Sequence, residues 1–196
     1  IAFVMGLLLT IKNKKMSIIY LVSIVTVFLM PYKMNMNEIT SGNNVYFVNS
    51  SRGEVVEYRD NADGGLTSVN KTKIQNETML TLLTNGKFQG NDNAESIAQG
   101  GFAIAPILHL TNQEKALVIG YGTGMTTKAI HDADFKSIDI IDLSPDILDL
   151  ADKYFNSVNG NVRNNKNIKT HITDGRNYLN LTKNKYDLIS MEITSI

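Results

Sequence analysis

Three glycines at alternate positions, in the run Val118-Ile-Gly-Tyr-Gly-Thr-Gly-Met125, constrain this chain more than any other feature. Glycines at this spacing let the backbone turn tightly and let a ligand come close. The run follows an apolar stretch, Lys115 to Ile119, and opens a helix-patterned one, Thr123 to Asp132. Such a helix presents free N–H groups and its positive end to whatever sits in the turn. The dinucleotide fingerprint G-x-G-x-x-G is not met. The third glycine comes one residue early and Met125 stands where the fingerprint wants glycine, which argues against a pyrophosphate-binding NAD site. A glycine-rich turn that only packs a helix on a strand remains the alternative reading.

The segments around the turn alternate. Ser137 to Ile141 reads as a strand, and Pro145 to Asn156 as a helix with Ser144 at its N-cap and Pro145 at its first position. Ile168 to Ile172 is a strand, Arg176 to Leu181 a short helix and Tyr186 to Met191 a strand. Strands alternating with helices at this spacing predict βαβ units and a parallel sheet. The expected fold is therefore α/β and Rossmann-like, over residues 93–196, with a helix from Glu95 to Leu110 before its first strand.

Upstream, Asn43 to Gly90 reads as β structure, giving a small antiparallel subdomain over residues 43–92. Its strand-like runs are Val45 to Val48, Gly53 to Tyr58, Leu66 to Val69 and Met79 to Leu83. Asn85-Gly86 between apolar runs is a two-residue hairpin signal. At the N-terminus, Ile1 to Ile11 and Met16 to Met30 are apolar, separated by Lys12-Asn-Lys-Lys15. A membrane helix region over residues 1–34 is expected, in preference to a signal peptide, because no small-x-small cleavage site follows Met30. The lysines would lie in the cytoplasm. One further crossing would carry the domain outside, but helices upstream of Ile1 would also bear on the orientation, and the domain is expected in the cytoplasm. Ile1 begins inside an apolar run and Ile196 follows a buried strand directly, so the chain reads as a piece of a longer protein.

Composition removes several function classes. Lys+Arg and Asp+Glu are each 19, so the formal net charge is zero and no nucleic-acid partner is expected. Cysteine is absent, which excludes disulfides, thiolate metal sites and cysteine nucleophiles. The three histidines, His109, His131 and His171, have no metal-ligand spacing, so no metal is expected.

Four elements carry the functional reading. Gly120, Gly122 and Gly124 form the turn. Asp142 ends the second strand roughly 20 residues on, where a carboxylate can accept from both ribose hydroxyls of a nucleoside; a solvated loop acid is the alternative. Asp174, with Gly175 permitting the turn, follows the third strand and could accept from the exocyclic amine of adenine, or could simply cap a helix. Glu192 ends the fourth strand, where ligands of open α/β sheets sit, or faces water there.

The runs Val118 to Thr126, Ile140 to Pro145, Thr173 to Leu179 and Tyr186 to Glu192 together resemble the spermidine synthases, and most closely their membrane-fused relatives. The similarity covers about residues 43 to 196 and includes Leu83-Thr-Asn-Gly-Lys-Phe-Gln89, similar to a segment ending in a ligand-contacting Gln. The resemblance implies a class I methyltransferase-like fold and a polyamine aminopropyltransferase. Decarboxylated S-adenosylmethionine would be a co-substrate rather than a resident cofactor, contacted by Gln89, the glycine turn, Asp142 with Leu143, and Asp174 with Gly175. Glu192 would be the catalytic carboxylate, and an amine such as putrescine the acceptor. Gln99 and Gly100 stand where the family has a His-Glu pair, and Glu192 where it has Asp. A methyltransferase, or a non-catalytic nucleoside sensor joined to a membrane bundle, are the rival readings. The expected partners are the small amine, the membrane and a second copy of the chain in a homodimer.

Overall fold

The computed structural model describes residues 14–29, 35–48, 52–62, 64–74 and 77–191. The chain divides into two compact units, residues 1–35 and 36–196.

The first unit contains helix α1, Lys14–Leu29, of 16 residues. At 1.5 Å per residue it is about 24 Å long, short of the ~20 residues that a spanning helix needs. No helix among the described residues is long and apolar enough to cross a membrane. Within the apolar run at Met16 to Met30 the described residues, Met16 to Leu29, form a helix, shorter than the membrane helix expected there. The run Ile1 to Ile11 lies outside the described residues.

The second unit opens with two single-turn helices, α2 (Met36–Ile39) and α3 (Asn43–Tyr46). The strand expected at Val45 to Val48 is therefore not formed. Gly42 adopts φ 77° and Phe47 φ 54°, which closes one helical turn between them. The Tyr46 hydroxyl accepts from the Phe88 amide at 3.1 Å, so this turn is tied to the neighbouring sheet rather than paired within it.

That sheet is antiparallel, with β1 (Glu54–Asn61), β2 (Gly65–Ile74), β3 (Glu77–Thr84) and β4 (Lys87–Asn91) in sequential order. Asn85 and Gly86 join β3 to β4 with φ of 52° and 76°. Two positive values match the type I′ turn that this pair favours. Between Leu82↔Gly90 and Leu83↔Phe88 the register shifts by one residue, so Gln89 is the extra residue of a β-bulge.

Helix α4 (Ala94–Ile107) leads into the parallel sheet of β5 (Lys115–Ile119), β6 (Ser137–Asp142), β7 (Ile168–Ile172) and β8 (Leu188–Met191). Its order is β7-β6-β5-β8. Helices α5 (Met125–Asp132), α6 (Pro145–Tyr154), the short α7 (Asn156–Asn159) and α8 (Gly175–Leu181) connect the strands. Ala116, Leu117 and Val118 are fully buried, as expected of a central strand covered on both faces. Val118, Ile130, Phe135, Ile138, Ile140 and Leu148 belong to the core of this layer. A second core joins the two sheets: Val69 and Leu82 of the antiparallel sheet pack with Ile147, Leu150, Phe155 and Val158. Helix α6 therefore lies between the sheets and fixes how they face each other.

Candidate functional site

Strand order reverses at β5, with β6 and β7 on one side and β8 on the other. A crevice outside the carboxyl ends of the strands is expected at such a switch point. A cleft of about 740 Å³ lies there. The parallel sheet contributes Gly120 after β5, Asp142, Leu143 and Ser144 after β6, Thr173, Asp174 and Gly175 after β7, and Met191 at the end of β8. The antiparallel sheet contributes Gly64 of the β1–β2 turn, Gly65 at the start of β2, Asn85 of the hairpin, and Gln89.

Asp142 is held by the backbone on both of its oxygens. It is 8% exposed. Its Oδ2 accepts from the Tyr121 amide at 2.8 Å and its Oδ1 from the Ser144 amide at 2.9 Å. Burial pushes its pKa up, while the backbone N–H groups of Ser144, Tyr121 and Leu143 pull against that shift. A carboxylate has about four lone-pair sites, so this one is fixed by the backbone and can still accept from a ligand.

Gly120 adopts φ 86°, a left-handed conformation that glycine reaches without strain. It lines the cleft, whereas Gly122 and Gly124 do not. Gly124, at φ 89°, serves the interior instead: a Cβ there would lie 2.7 Å from the Tyr121 ring. Gly175 allows a close approach of another kind, because its Cβ would lie 2.6 Å from Ile119 Cγ2. Asp174 caps α8, its Oδ1 accepting from the Asn177 amide at 2.9 Å, and also borders the cleft. The helix-capping reading of that residue is thus met by this bond.

Bulges beside active sites commonly re-aim a side chain, and Gln89 sits on one at the cleft wall. Its carbonyl accepts from Gln99 Nε2 at 2.9 Å, and Gln99 Oε1 accepts from Thr123 Oγ1 at 2.8 Å. Gln99 thus ties the bulge to the glycine-rich turn. Glu192 lies outside the described residues; Met191, the residue before it, lines the cleft.

Ser144 holds the N-cap position of α6, but its side chain makes no capping bond. Its Oγ is buried without a hydrogen-bond partner among the described residues. The β1–β2 turn, Asn85 as a wall residue and Ser144 were not singled out from the sequence as cleft residues. The Asn85-Gly86 signal could have pointed to Asn85, since a hairpin joined to a cleft-lining strand brings its own turn along. Asp142 and Asp174 are the charged side chains among the described cleft-lining residues, so the cleft is acidic. It suits a cationic ligand with hydroxyl groups better than a polyphosphate.

A family model described as spermine/spermidine synthase domain matches residues 95–195. Among curated proteins, the polyamine aminopropyltransferase of Sulfurisphaera tokodaii is 28% identical over 114 residues, 58% of this chain and 38% of that protein. That of Methanocaldococcus jannaschii is 27% identical over 112 residues, 57% and 38%. The chain thus spans well under half the length of these relatives. Among solved structures, a spermidine synthase in complex with the transition state analogue AdoDATO aligns with a TM-score of 0.62 at 18% identity. The alignment covers 71% of this chain and 47% of that one. The spermidine synthase of Thermotoga maritima aligns at 0.61 and 18%, covering 73% and 48%. At this identity the likeness shows the fold.

Proposed function

The chain belongs to the spermine/spermidine synthase domain family, and on that premise we propose that it is part of an aminopropyltransferase. Its donor is decarboxylated S-adenosylmethionine and its acceptor a diamine of the putrescine class. The observation that carries this reading is the acidic cleft at the switch point, with Asp142 held at its floor by two backbone amides. In this reading Asp142 accepts from the ribose hydroxyls, Asp174 and Gly175 border the adenine, and Gln89 contacts the donor from the opposite wall. The sulfonium is a cation, and an acidic cleft without basic side chains among its described lining residues favours it electrostatically. The reaction belongs in the cytoplasm, where an adenosyl donor is available.

The chemistry is a displacement at carbon. The acceptor nitrogen's lone pair forms a bond to the aminopropyl carbon attached to sulfur. The C–S bond breaks and its electron pair goes to sulfur, leaving 5′-methylthioadenosine. The new ammonium then loses a proton to a base. We assign that base to Glu192, which follows the cleft residue Met191 in the chain. A carboxylate there would also orient the amine, and orientation contributes much of the rate in such reactions.

The test is product formation by the full-length protein. Mass spectrometry should detect spermidine and 5′-methylthioadenosine from decarboxylated S-adenosylmethionine and putrescine. Glu192→Gln should reduce turnover by roughly 10²–10⁴-fold, the usual range for a general base. A wild type that binds the nucleoside but transfers no aminopropyl group to any amine would overturn the proposed activity. A Glu192→Gln enzyme with wild-type turnover would remove that residue from the role.

A further inference from the structure

Tyr121 is the residue between the first two glycines of the turn. Large aromatic residues are costly to place in a turn that must approach a ligand closely, and this one is fully buried rather than aimed at the cleft. Its ring lies under the turn, close enough to Gly124 that a Cβ there would clash with it and with Asn159 Cβ. Its hydroxyl donates to Asp152 Oδ1 at 3.2 Å. Asp152 Oδ2 pairs with Arg163 Nη2 at 2.9 Å, and the Arg163 guanidinium stands 5.9 Å from the centre of the Tyr121 ring. Asn159 Nδ2 adds a bond to the carbonyl of Thr123 at 3.0 Å, from below the same turn.

The backbone of Tyr121 faces the other way. Its amide donates to Asp142 Oδ2 at 2.8 Å. One residue thus holds the cleft carboxylate by its main chain while its side chain is held by an acid–base pair from α6 and the segment after α7. Burial raises the pKa of the Tyr121 hydroxyl, which keeps it a donor to Asp152.

We propose that Tyr121 is a positioning residue for the nucleoside site: the Tyr121–Asp152–Arg163 clamp fixes the glycine-rich turn so that the Tyr121 amide stays on Asp142. This rests on the reading of Asp142 as the ribose-binding carboxylate. A flexible turn would leave the amide free to swing, and Asp142 would lose one of its fixed donors. The clamp acts on ligand affinity through Asp142, without touching the ligand.

Tyr121→Phe tests this, because it keeps the ring and removes the hydroxyl. The side-chain carboxyl signal of Asp142 is followed by NMR across pH, and 5′-methylthioadenosine affinity by calorimetry, both well below the unfolding temperature of every variant. The expected results are a higher Asp142 pKa in the variant and an affinity about threefold to tenfold weaker, the range for one hydrogen bond. Asp152→Ala should do the same. The double variant should be no weaker than the weaker single one, since both break one clamp. Lower stability with unchanged Asp142 pKa and unchanged affinity would overturn the proposal, and so would additive losses. If Asp152→Ala does not fold, the isosteric Tyr121→Phe decides alone. If the wild type does not bind 5′-methylthioadenosine, the nucleoside reading fails, and the Asp142 pKa still decides whether the clamp positions that carboxylate.

Discussion

Replacing Asp142 by Asn should weaken both the fold and the site, by amounts that the local geometry sets. The two Asp142 oxygens each accept one backbone N–H, from Tyr121 and Ser144. The Asn side chain keeps one acceptor oxygen, and its NH₂ group then meets the other backbone donor. A buried donor left without an acceptor costs about 1–3 kcal/mol. Burial already disfavours the Asp142 charge, so removing the charge returns part of that loss. We expect a net destabilisation of about 1–2 kcal/mol at pH 7, read by urea unfolding. Nucleoside binding should fall further, because a charged hydrogen bond contributes about 1.5–3 kcal/mol, roughly tenfold to hundredfold in affinity.

The pH dependence has a definite sign. The folded-state pKa of Asp142 lies above its ordinary value of 3.8. Between those two pKa values the native state holds more protons than the unfolded one. The contribution of Asp142 to stability is therefore full below 3.8 and lost as pH rises through the folded value. Ligand affinity should rise over the same window as the carboxylate ionises. Asn at this position should abolish both trends. Equal stability and affinity in Asp142→Asn and wild type, with the same pH profiles, would refute the reasoning.

Two other perturbations follow from the geometry. Gly124→Ala should destabilise by about 2 kcal/mol or more in urea unfolding, because φ is 89° and the new Cβ meets the Tyr121 ring; wild-type stability would show that the ring is not packed there. Asp139→Asn should cost about 3 kcal/mol at pH 7, the lower end for breaking a buried pair, because its partner Lys115, at 3.0 Å, keeps 27% of its side chain exposed. Burial alone would raise the Asp139 pKa, but hydrogen bonds from Tyr186 and Lys115 hold it below 3.8. The stability it contributes is thus present above 3.8 and lost as pH falls through the folded value, so Asp139→Asn should flatten the acid limb of the stability curve measured by unfolding at each pH.

The parallel sheet was readable because its signals are local. An apolar run, a glycine turn and a helix start within ten residues of one another leave little else for Lys115 to Asp132 to do. The Asn85-Gly86 hairpin was readable for the same reason. Val45 to Val48 misled because β-branched and aromatic residues suggest a strand, while Tyr46 is used to anchor Phe88 from a helical turn. The bulge at Gln89 depends on the register of two strands, and no local pattern marks it. Tyr121, Asp152 and Arg163 are far apart in the chain, and only the packing of α6 and the segment after α7 under the glycine turn brings them together. Asp139 reads as an acid in an apolar strand, with nothing nearby in sequence to announce Lys115, Tyr186 and His171 as partners. The cleft lining shows the same limit: the three glycines look alike in sequence, yet one faces the cleft and another makes room for a tyrosine.

The cleft between Gly120, Asp142 and Asp174 is proposed to hold the adenosyl group. The most direct measurement is an NMR titration of the isotopically labelled protein with 5′-methylthioadenosine. Saturable shifts should concentrate at the amides of Gln89, Gly120, Leu143 and Gly175, and Asp142→Ala should weaken the titration by roughly tenfold to hundredfold. No saturable shift, or shifts gathered around Asp139 and His171 with Gly120 and Leu143 unmoved, would contradict the account.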